Sequence, residues 1–419
     1  MKREKKIIYI NLDGFSYSYY QILHKKKLDW GFLELANDGI FFKNLYSGLI
    51  SITNPMQSAI LSGCWSNKTH NFYQHFDKEK RCVVKHLRTF NAQNVAELFL
   101  EKGKTVVSIH QFMLENNPCV RGEKNNNYIT CSKEHSNYKD RFEILEKIIK
   151  KEPINIDGKE YIYENFPDFL ALYIDDLDSL GHNNNYECYE KRKRYEDRIK
   201  DIVKRLKEIE DSLVNIKKVC TQEGIYDDLI ILVTTDHGMT PFFGKSHLNE
   251  LKDDINSLGI RANFANRVKD DTEVVLLPYT IECSLYYLKE LDNFKKEKID
   301  QLLKSRNYIL KYLYKEEMEK KYGLDKRGPD VLICPKKGDH FYTKDYFDNY
   351  GGNHDSLDVT SQHIFGMIFG GDIKNEVLYK KYKSIDLIPS IIKSNNNYEL
   401  KDSTSNNIFS LSYKHKDGV

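Results

Sequence analysis

Three short runs along the chain are apolar almost without a break and then end in acid. KKIIYINLD closes at Asp13, FLALYIDDLD at Asp178, and DLIILVTTDHG at Asp236 and His237. Unbroken β-branched and aliphatic stretches are expected where helices cover both faces of a parallel sheet. Between the runs the apolar period lengthens to that of helices, in NAQNVAELFLEKG (91–103) and in the long charged stretch at 187–219. Strands alternating with helices predict an α/β fold. In such sheets ligands gather at the carboxyl ends of the strands. All three acidic clusters fall there.

From about 240 to 330 the pattern loosens, and this region reads as a small lobe inserted into the main domain. RGPDVLICPKKGD (327–339) returns to strand-like sequence and leads into the loop DNYGGNHDSLDVTSQ. HIFGMIFGG reads as a further strand and SIDLIPSIIK as a late core helix. The division is therefore one domain over 1–395, carrying the insert, and a polar, peripheral tail over 396–419. The thrice-repeated NNNY (from 125, 183 and 395) is a compositional bias of loops and receives no function.

Composition narrows the setting. Lys+Arg of 64 against Asp+Glu of 62 leaves a net charge of +2, so no global field points to nucleic acid or an acidic membrane. Local basic runs such as EKRKR and DNFKKEK are interleaved with acids and read as solvated helix faces. Eight scattered cysteines without a CxxC argue for reduced thiols and a cytoplasmic home. The N-terminal MKREKKIIYINLDG meets Asp13 too soon for a signal peptide. No stretch approaches the ~20 apolar residues of a membrane span.

Candidate chemistry gathers at the strand ends. Asp178 and His182 are four apart, which on a helical turn puts both on one face and suits a divalent metal such as zinc. Asp13 precedes Gly14, and Asp236–His237 precede Gly238. His354 lies in the glycine-rich GGNHDSLD, placed to fold over the end of the sheet. Three carboxylates and three histidines from four segments are enough for two metals. Ions ~3.5–4 Å apart can stabilise the entering and leaving oxygens of a phosphoryl displacement. Thr53 stands just before Pro55 and the helical QSAILSG, where a helix N-terminus favours an anion and a metal could lower the hydroxyl's pKa. Each residue alone has an ordinary alternative as a cap or turn residue. A full ligand set at successive strand ends does not.

The ordered set resembles the alkaline phosphatase superfamily, and within it the nucleotide pyrophosphatase/phosphodiesterase branch. The likeness rests on T-x-P followed by S-G between Thr53 and Gly63, Y-I-x-x-x-D-x-x-G-H from Tyr173 to His182, D-H-G-M from Asp236 to Met239, and the late His354. It implies a three-layer α/β/α sandwich around a mostly parallel sheet, with a small inserted lobe. It also implies two divalent metal ions, zinc first and manganese as the alternative. One would be held by Asp178, His182 and His354, the other by Asp13, Asp236 and His237, with the Thr53 oxygen facing or bridging toward them. Thr53 would attack phosphorus in line and form a phospho-threonine that water then hydrolyses.

Sulfatases of the superfamily need C/S-x-P-x-R, whereas this chain has TNPMQ, with Gln57 in place of the arginine. Phosphoglycerate mutases use a serine and a long insertion that does not follow Thr53 here. The expected activity is hydrolysis of a small phosphodiester or phosphoanhydride, with a phosphomonoesterase or phosphonate hydrolase at the same site as the alternative. A binding protein that has lost catalysis on this fold is a third reading. The branch's diesterases place an asparagine after the nucleophile helix to hold a phosphate oxygen. NKTHNFYQHFD offers Asn67, Asn71 or His75 there, and Asn71 is taken as the substrate contact. Asp175 and Asp176 are expected behind the site or in solvent, and Asp358 is placed to orient His354. His70, His247, His340 and His363 are assigned no direct role. The expected partner is a small phosphoryl compound, with no nucleic acid and no membrane.

Overall fold

The structure is a computed structural model and describes residues 4–86, 88–115, 128–129, 137–156 and 158–414. The three apolar runs become the strands Lys6–Leu12, Phe169–Ile174 and Leu229–Thr234. Lys6–Leu12 lies between the other two and parallel to both, with Leu12 opposite Ile174 and Asn11 opposite Thr234. This register brings all three acidic ends to one edge of an eight-stranded sheet. Val106–Ile109 and Tyr128–Ile129 extend it in parallel on one side. On the other, Gly366–Phe369 runs antiparallel to Leu229–Thr234 and to Gly39–Phe42, and Glu376–Leu378 closes the sheet.

Both faces of the central strands are apolar because both are covered. Ile8, Ile10, Leu12, Leu172 and Ile174 pack beneath the helices Tyr17–Lys25, Trp30–Ala36, Tyr138–Lys150 and Tyr195–Gln222. Ile7, Tyr9, Phe169, Ile230 and Leu232 meet Thr53–Ser62, Val95–Glu101 and Leu387–Asn396 on the opposite face. Successive side chains in a strand point to opposite faces, so an unbroken run supplies both interiors at once. The result is the three-layer α/β/α sandwich.

Four elements differ from the sequence expectation. The helix expected from 187 begins at Tyr195. Before it, the fully buried Arg198 guanidinium draws the chain around itself, donating to Asn183 Oδ1 and to the carbonyls of Asn184 and Glu190. A buried cation needs such acceptors, and the loop folds to provide them. The glycine-rich stretch before His354 is no loop: Tyr346–Asn353 pairs antiparallel with Thr240–Gly244. The lobe runs beyond 330, because Val331–Pro335 joins Ala262–Phe264, Val274–Pro278, Cys283–Tyr287 and Ile309–Tyr314 in a separate five-stranded sheet. That sheet and the helices Leu248–Ser257 and Asn293–Ser305 share their own core around Leu251, Leu276, Leu285, Ile299 and Ile333. The C-terminal stretch is polar in composition but not peripheral. Leu400, Phe409 and Leu411 are buried against the main core, and Thr404 N–H donates to Gly63 O at 2.8 Å.

Cys64, Cys82, Cys188, Cys220, Cys283 and Cys334 are unpaired. Cys119, Cys131 and the first NNNY apart from Tyr128 lie outside the described residues. Among the described residues, no helix is long and apolar enough to cross a membrane.

Candidate active site

Asp13 leaves the first strand and its backbone N–H donates to Ile174 O at 2.8 Å, tying two strand ends together. Gly14 follows with φ +78°, and a Cβ there would lie 2.8 Å from Asp178 Cα. A glycine thus permits the close approach that puts Asp13 and Asp178 in one site. Asp178 sits on the short helix Asp176–Gly181, and its Oδ2 is 3.3 Å from His182 Nε2. Asp236 and His237 follow the third central strand, and His237 Nε2 lies 3.3 Å from Asp13 Oδ1 and 3.5 Å from Asp236 Oδ2. His354 comes in from the ribbon, its ring stacked on that of His237 at 3.6 Å and its Nε2 3.6 Å from Asp178 Oδ1. Thr53 opens the helix Thr53–Ser62, and its Oγ1 is 3.1 Å from His237 Nε2.

Two sets of ligand atoms each lie within 4.8 Å of one another: Asp13, Asp236 and His237, and Asp178, His237 and His354. The first is the set expected from sequence. In the second His237 stands between the groups, while His182 stays beside Asp178 and outside that tight set. The donor chemistry fits cation binding. Asp13 Oδ1, Asp178 Oδ1 and Asp236 Oδ2 are buried without a hydrogen-bond partner. Buried acceptors seldom remain unpaired, and three converging ones suit a positive ion. Each histidine engages a carbonyl through Nδ1, His182 with Gly352 O (2.7 Å), His237 with Gly238 O (3.0 Å) and His354 with Ser51 O (2.8 Å). That contact fixes the ring and leaves Nε2 free for a metal.

The protonation pattern agrees. Burial, then the charges of Asp236 and Asp178, raise the Asp13 carboxyl well above its usual range, and burial raises Asp236 to about 6. Burial also lowers His237 to about 4 and, with His237 beside it, His354 to about 3. Burial would raise Asp178 and lower His182, but their mutual attraction overrides it, holding Asp178 low and moving His182 up to about 9. Crowded carboxylates beside the neutral imidazoles of His237 and His354 are the arrangement that cations relieve.

Around these groups stands a layer the sequence reading missed. Tyr173 OH donates to Asp13 Oδ2. Thr235 Oγ1 donates to Asp236 Oδ1 at 3.1 Å, and Ser47 Oγ to the Asp236 carbonyl at 2.6 Å. Gln57, at the position that separates this chain from sulfatases, accepts from Gln111 Nε2 at 2.9 Å beneath the nucleophile helix. The cavity above Thr53 measures about 430 Å³ and is walled by Asn54, Tyr73, Gln74, Asp178, His182 and His354 from the main domain, with Pro278, Tyr279 and Thr280 from the lobe. Among the described residues, no lysine or arginine lines it.

Two expectations are corrected. Asn71 does not face the cavity: it is fully buried and its Nδ2 donates to Asn54 O at 3.2 Å, bracing the start of the nucleophile helix. Asp358 does not orient His354. It caps the turn Val359–Gln362 through Thr360 N–H at 2.8 Å, while Asp355 accepts the N–H groups of Thr280, Ile281 and Glu282 at 2.8–3.0 Å and pins the lobe to the site. Asp176 is buried behind the site against Arg205, and Asp175 pairs with Arg141 at 2.9 Å. Asn67 lies outside the cavity, and His75 instead pairs with His86 at 2.7 Å. His70 pairs with Asp325, His247 with Asp339, His340 with Gly244 O and His363 with Lys43 O, all away from the metal-type groups.

Sheet order, lobe and the acid–histidine clusters at the strand ends define an alkaline phosphatase-like protein of the α/β/α class. The structure matches the wild-type alkaline phosphatase PafA with TM-score 0.62 and 14% identity, covering 97% of this chain and 98% of that one. The chain belongs to the type I phosphodiesterase/nucleotide pyrophosphatase family, whose model matches residues 7–357. Murine ectonucleotide pyrophosphatase/phosphodiesterase 5 shares the fold with TM-score 0.67 and 15% identity over 96% of this chain and 98% of that one. An inactive threonine-to-alanine form of the same murine protein, in complex with AMP, matches with TM-score 0.66, 15% identity and the same coverage. In sequence, ectonucleotide pyrophosphatase/phosphodiesterase family member 7 of Rattus norvegicus is 21% identical over 289 residues, 66% of this chain. The chain spans 58% of that relative's length.

Proposed function

We propose that the protein hydrolyses a small phosphodiester or phosphoanhydride, of nucleotide type, through a covalent intermediate on Thr53. The observation that carries this reading is the position of Thr53 Oγ1, at a helix N-terminus, on the cavity and 3.1 Å from His237 Nε2 within the ligand clusters. Asp13, Asp236 and His237 would hold one divalent ion, and Asp178, His182 and His354 the other, zinc or alternatively manganese. When bound, such ions supply charge stabilisation and lower the pKa of a neighbouring hydroxyl.

The chain's own groups do the rest. The free N–H groups in the first turn of Thr53–Ser62 favour the negative charge of the phosphoryl oxygens. As the Thr53 Oγ1–P bond forms, the bond from phosphorus to the leaving oxygen breaks and that oxygen takes a proton. Water then adds to phosphorus, the P–Oγ1 bond breaks, and Thr53 recovers its proton, so diester and water give monoester and alcohol. Asn54, Gln74 and Asn353, on the cavity wall, are the side-chain amides available to a phosphoryl oxygen in place of Asn71.

The absence of Lys and Arg from the lining favours a diester, which carries one negative charge where a monoester carries about two. Tyr73 and Tyr279, with ring centroids 6.0 Å apart, offer an aromatic wall suited to a nucleobase. The AMP bound to the murine neighbour supports the same substrate class. A cytoplasmic location belongs to this proposal, supported by the unpaired cysteines.

The test is turnover of bis-p-nitrophenyl phosphate by wild type and Thr53→Ala, with metal content measured on both. The expected result is a loss of at least ~10³-fold at unchanged metal content, with phosphate on Thr53 in acid-quenched wild type. Faster turnover of p-nitrophenyl phosphate or a phosphonate monoester would transfer the assignment to the alternative hydrolases. Metal-replete wild type without turnover on any of the three would overturn a catalytic role for Thr53.

A further inference from the structure

A second cavity, of about 230 Å³, lies at the seam between the main domain and the lobe, and the proposed reaction makes no use of it. Its wall includes Tyr46 and Trp65 and carries Lys311, Lys381 and Lys383, with no aspartate or glutamate. The lining is of one sign in a chain with 64 basic and 62 acidic residues. Lys311 comes from the lobe strand Ile309–Tyr314, whereas Lys381 and Lys383 flank Tyr382 at the edge of the main domain. The Lys381 ammonium lies 4.2 Å from the Tyr46 ring centroid and that of Lys383 lies 5.4 Å from the Trp65 ring. Asp386, the acid nearest to Lys383, is already engaged: its oxygens accept from the Lys383 backbone N–H (2.7 Å) and from Ser405 Oγ (2.8 Å).

We infer that this seam cavity is a binding site for a small phosphate dianion, separate from the catalytic centre. Lys311, Lys381 and Lys383 line it with no carboxylate among the described lining residues, and a compact dianion offsets more than one of them at once. Burial lowers the pKa of Lys383 against the opposing charge of Asp386, and Lys381 adds to the lowering. A bound anion reverses that cost. The Tyr46 and Trp65 rings, beside Lys381 and Lys383, reduce water contact on that side of the cavity. Free orthophosphate and the phosphate group of a phosphomonoester share this chemistry. The inference is independent of the reaction proposed above.

The chain provides its own reporter, because it has two tryptophans, Trp65 on the cavity and Trp30, half-exposed on another face. In metal-replete Trp30→Phe protein, Trp65 fluorescence is titrated with inorganic phosphate and separately with AMP, at constant ionic strength. A saturable change is expected, and whichever ligand saturates at lower concentration identifies the source. Lys381→Gln/Lys383→Gln should weaken the titration at least tenfold at an unchanged melting temperature. Thr53→Ala should leave it in place. If the double variant does not fold, Lys311→Gln, exposed on the lobe, should weaken it about threefold. No saturable change, an equal change with sodium chloride, or a titration unaffected by the lysine substitutions would overturn the site.

Discussion

At the scale of single residues, the centre depends on groups that touch no substrate. Tyr173 donates to Asp13 and leaves one carboxylate oxygen directed at the cluster. Removing that hydroxyl frees the carboxylate to turn, and partners of this kind are typically worth 10–100-fold in metal affinity or activity. Tyr173→Phe is therefore expected to lose metal to a competing chelator about tenfold more readily than wild type, with the fold intact by circular dichroism. Equal retention would show that the strand end alone fixes Asp13. The sequence revealed Asp13, Asp178, Asp236 and His237 because each closes an apolar strand, where charge has no packing explanation. It did not reveal Tyr173, one tyrosine among 29, since aromatic residues serve a core equally well. Asn71 misled for a related reason: an amide after a helix can brace the backbone as readily as bind a ligand.

At the scale of elements, the ribbon of Thr240–Gly244 and Tyr346–Asn353 controls His182 and His354 together. Gly352 packs so tightly that a Cβ would lie 2.0 Å from the Gly181 carbonyl oxygen. Gly352→Ala must push the ribbon off the Asp176–Gly181 helix and displace the carbonyl that holds His182. Diester turnover is expected to fall by at least ~10²-fold, as misplacement of about 1 Å can cost in an active site. Gly103→Ala is the matched comparison: Gly103 has φ +70° but open space around its Cβ, so it should cost about 1 kcal/mol of stability and leave turnover near wild type. Equal activity loss in both would assign the effect to general destabilisation. The ribbon itself was hidden in the sequence because its glycines and polar residues have the composition of a loop. Long-range pairing with Thr240–Gly244, not local preference, makes it a strand.

At the scale of the whole molecule, the lobe and the main domain meet over buried acids. Glu282, 1% exposed with Oε1 unpartnered, is raised to about 8 by burial and the neighbouring Asp355. A raised carboxyl means that the folded state keeps a proton which the unfolded chain releases near its ordinary 4.5. Below that pH the group has no effect. As pH rises toward 8 the folded state loses up to about 1.4 kcal/mol per unit, and above it the loss levels off. Glu282→Gln should melt with wild type near pH 4.5 and a few degrees above it at pH 8, by calorimetry across that range. Parallel curves would mean that the carboxyl titrates normally. The α/β class and the existence of a lobe were legible because period and composition are local properties. The lobe's true extent was not, since Val331–Pro335 looks like any core strand and only its partners say which sheet it joins.

The cavity over Thr53 has two makers: the main domain brings the reactive groups, and the lobe, pinned through Asp355, brings Pro278, Tyr279 and Thr280. The reactive groups thus come from the main domain alone, while the wall around the substrate is shared between the main domain and the lobe. The hold on the loop is through backbone N–H groups, so a change of the Tyr279 side chain alters part of that wall and leaves the contact with Asp355 in place. A lineage built this way can acquire new substrates by editing a wall while its machinery stays fixed.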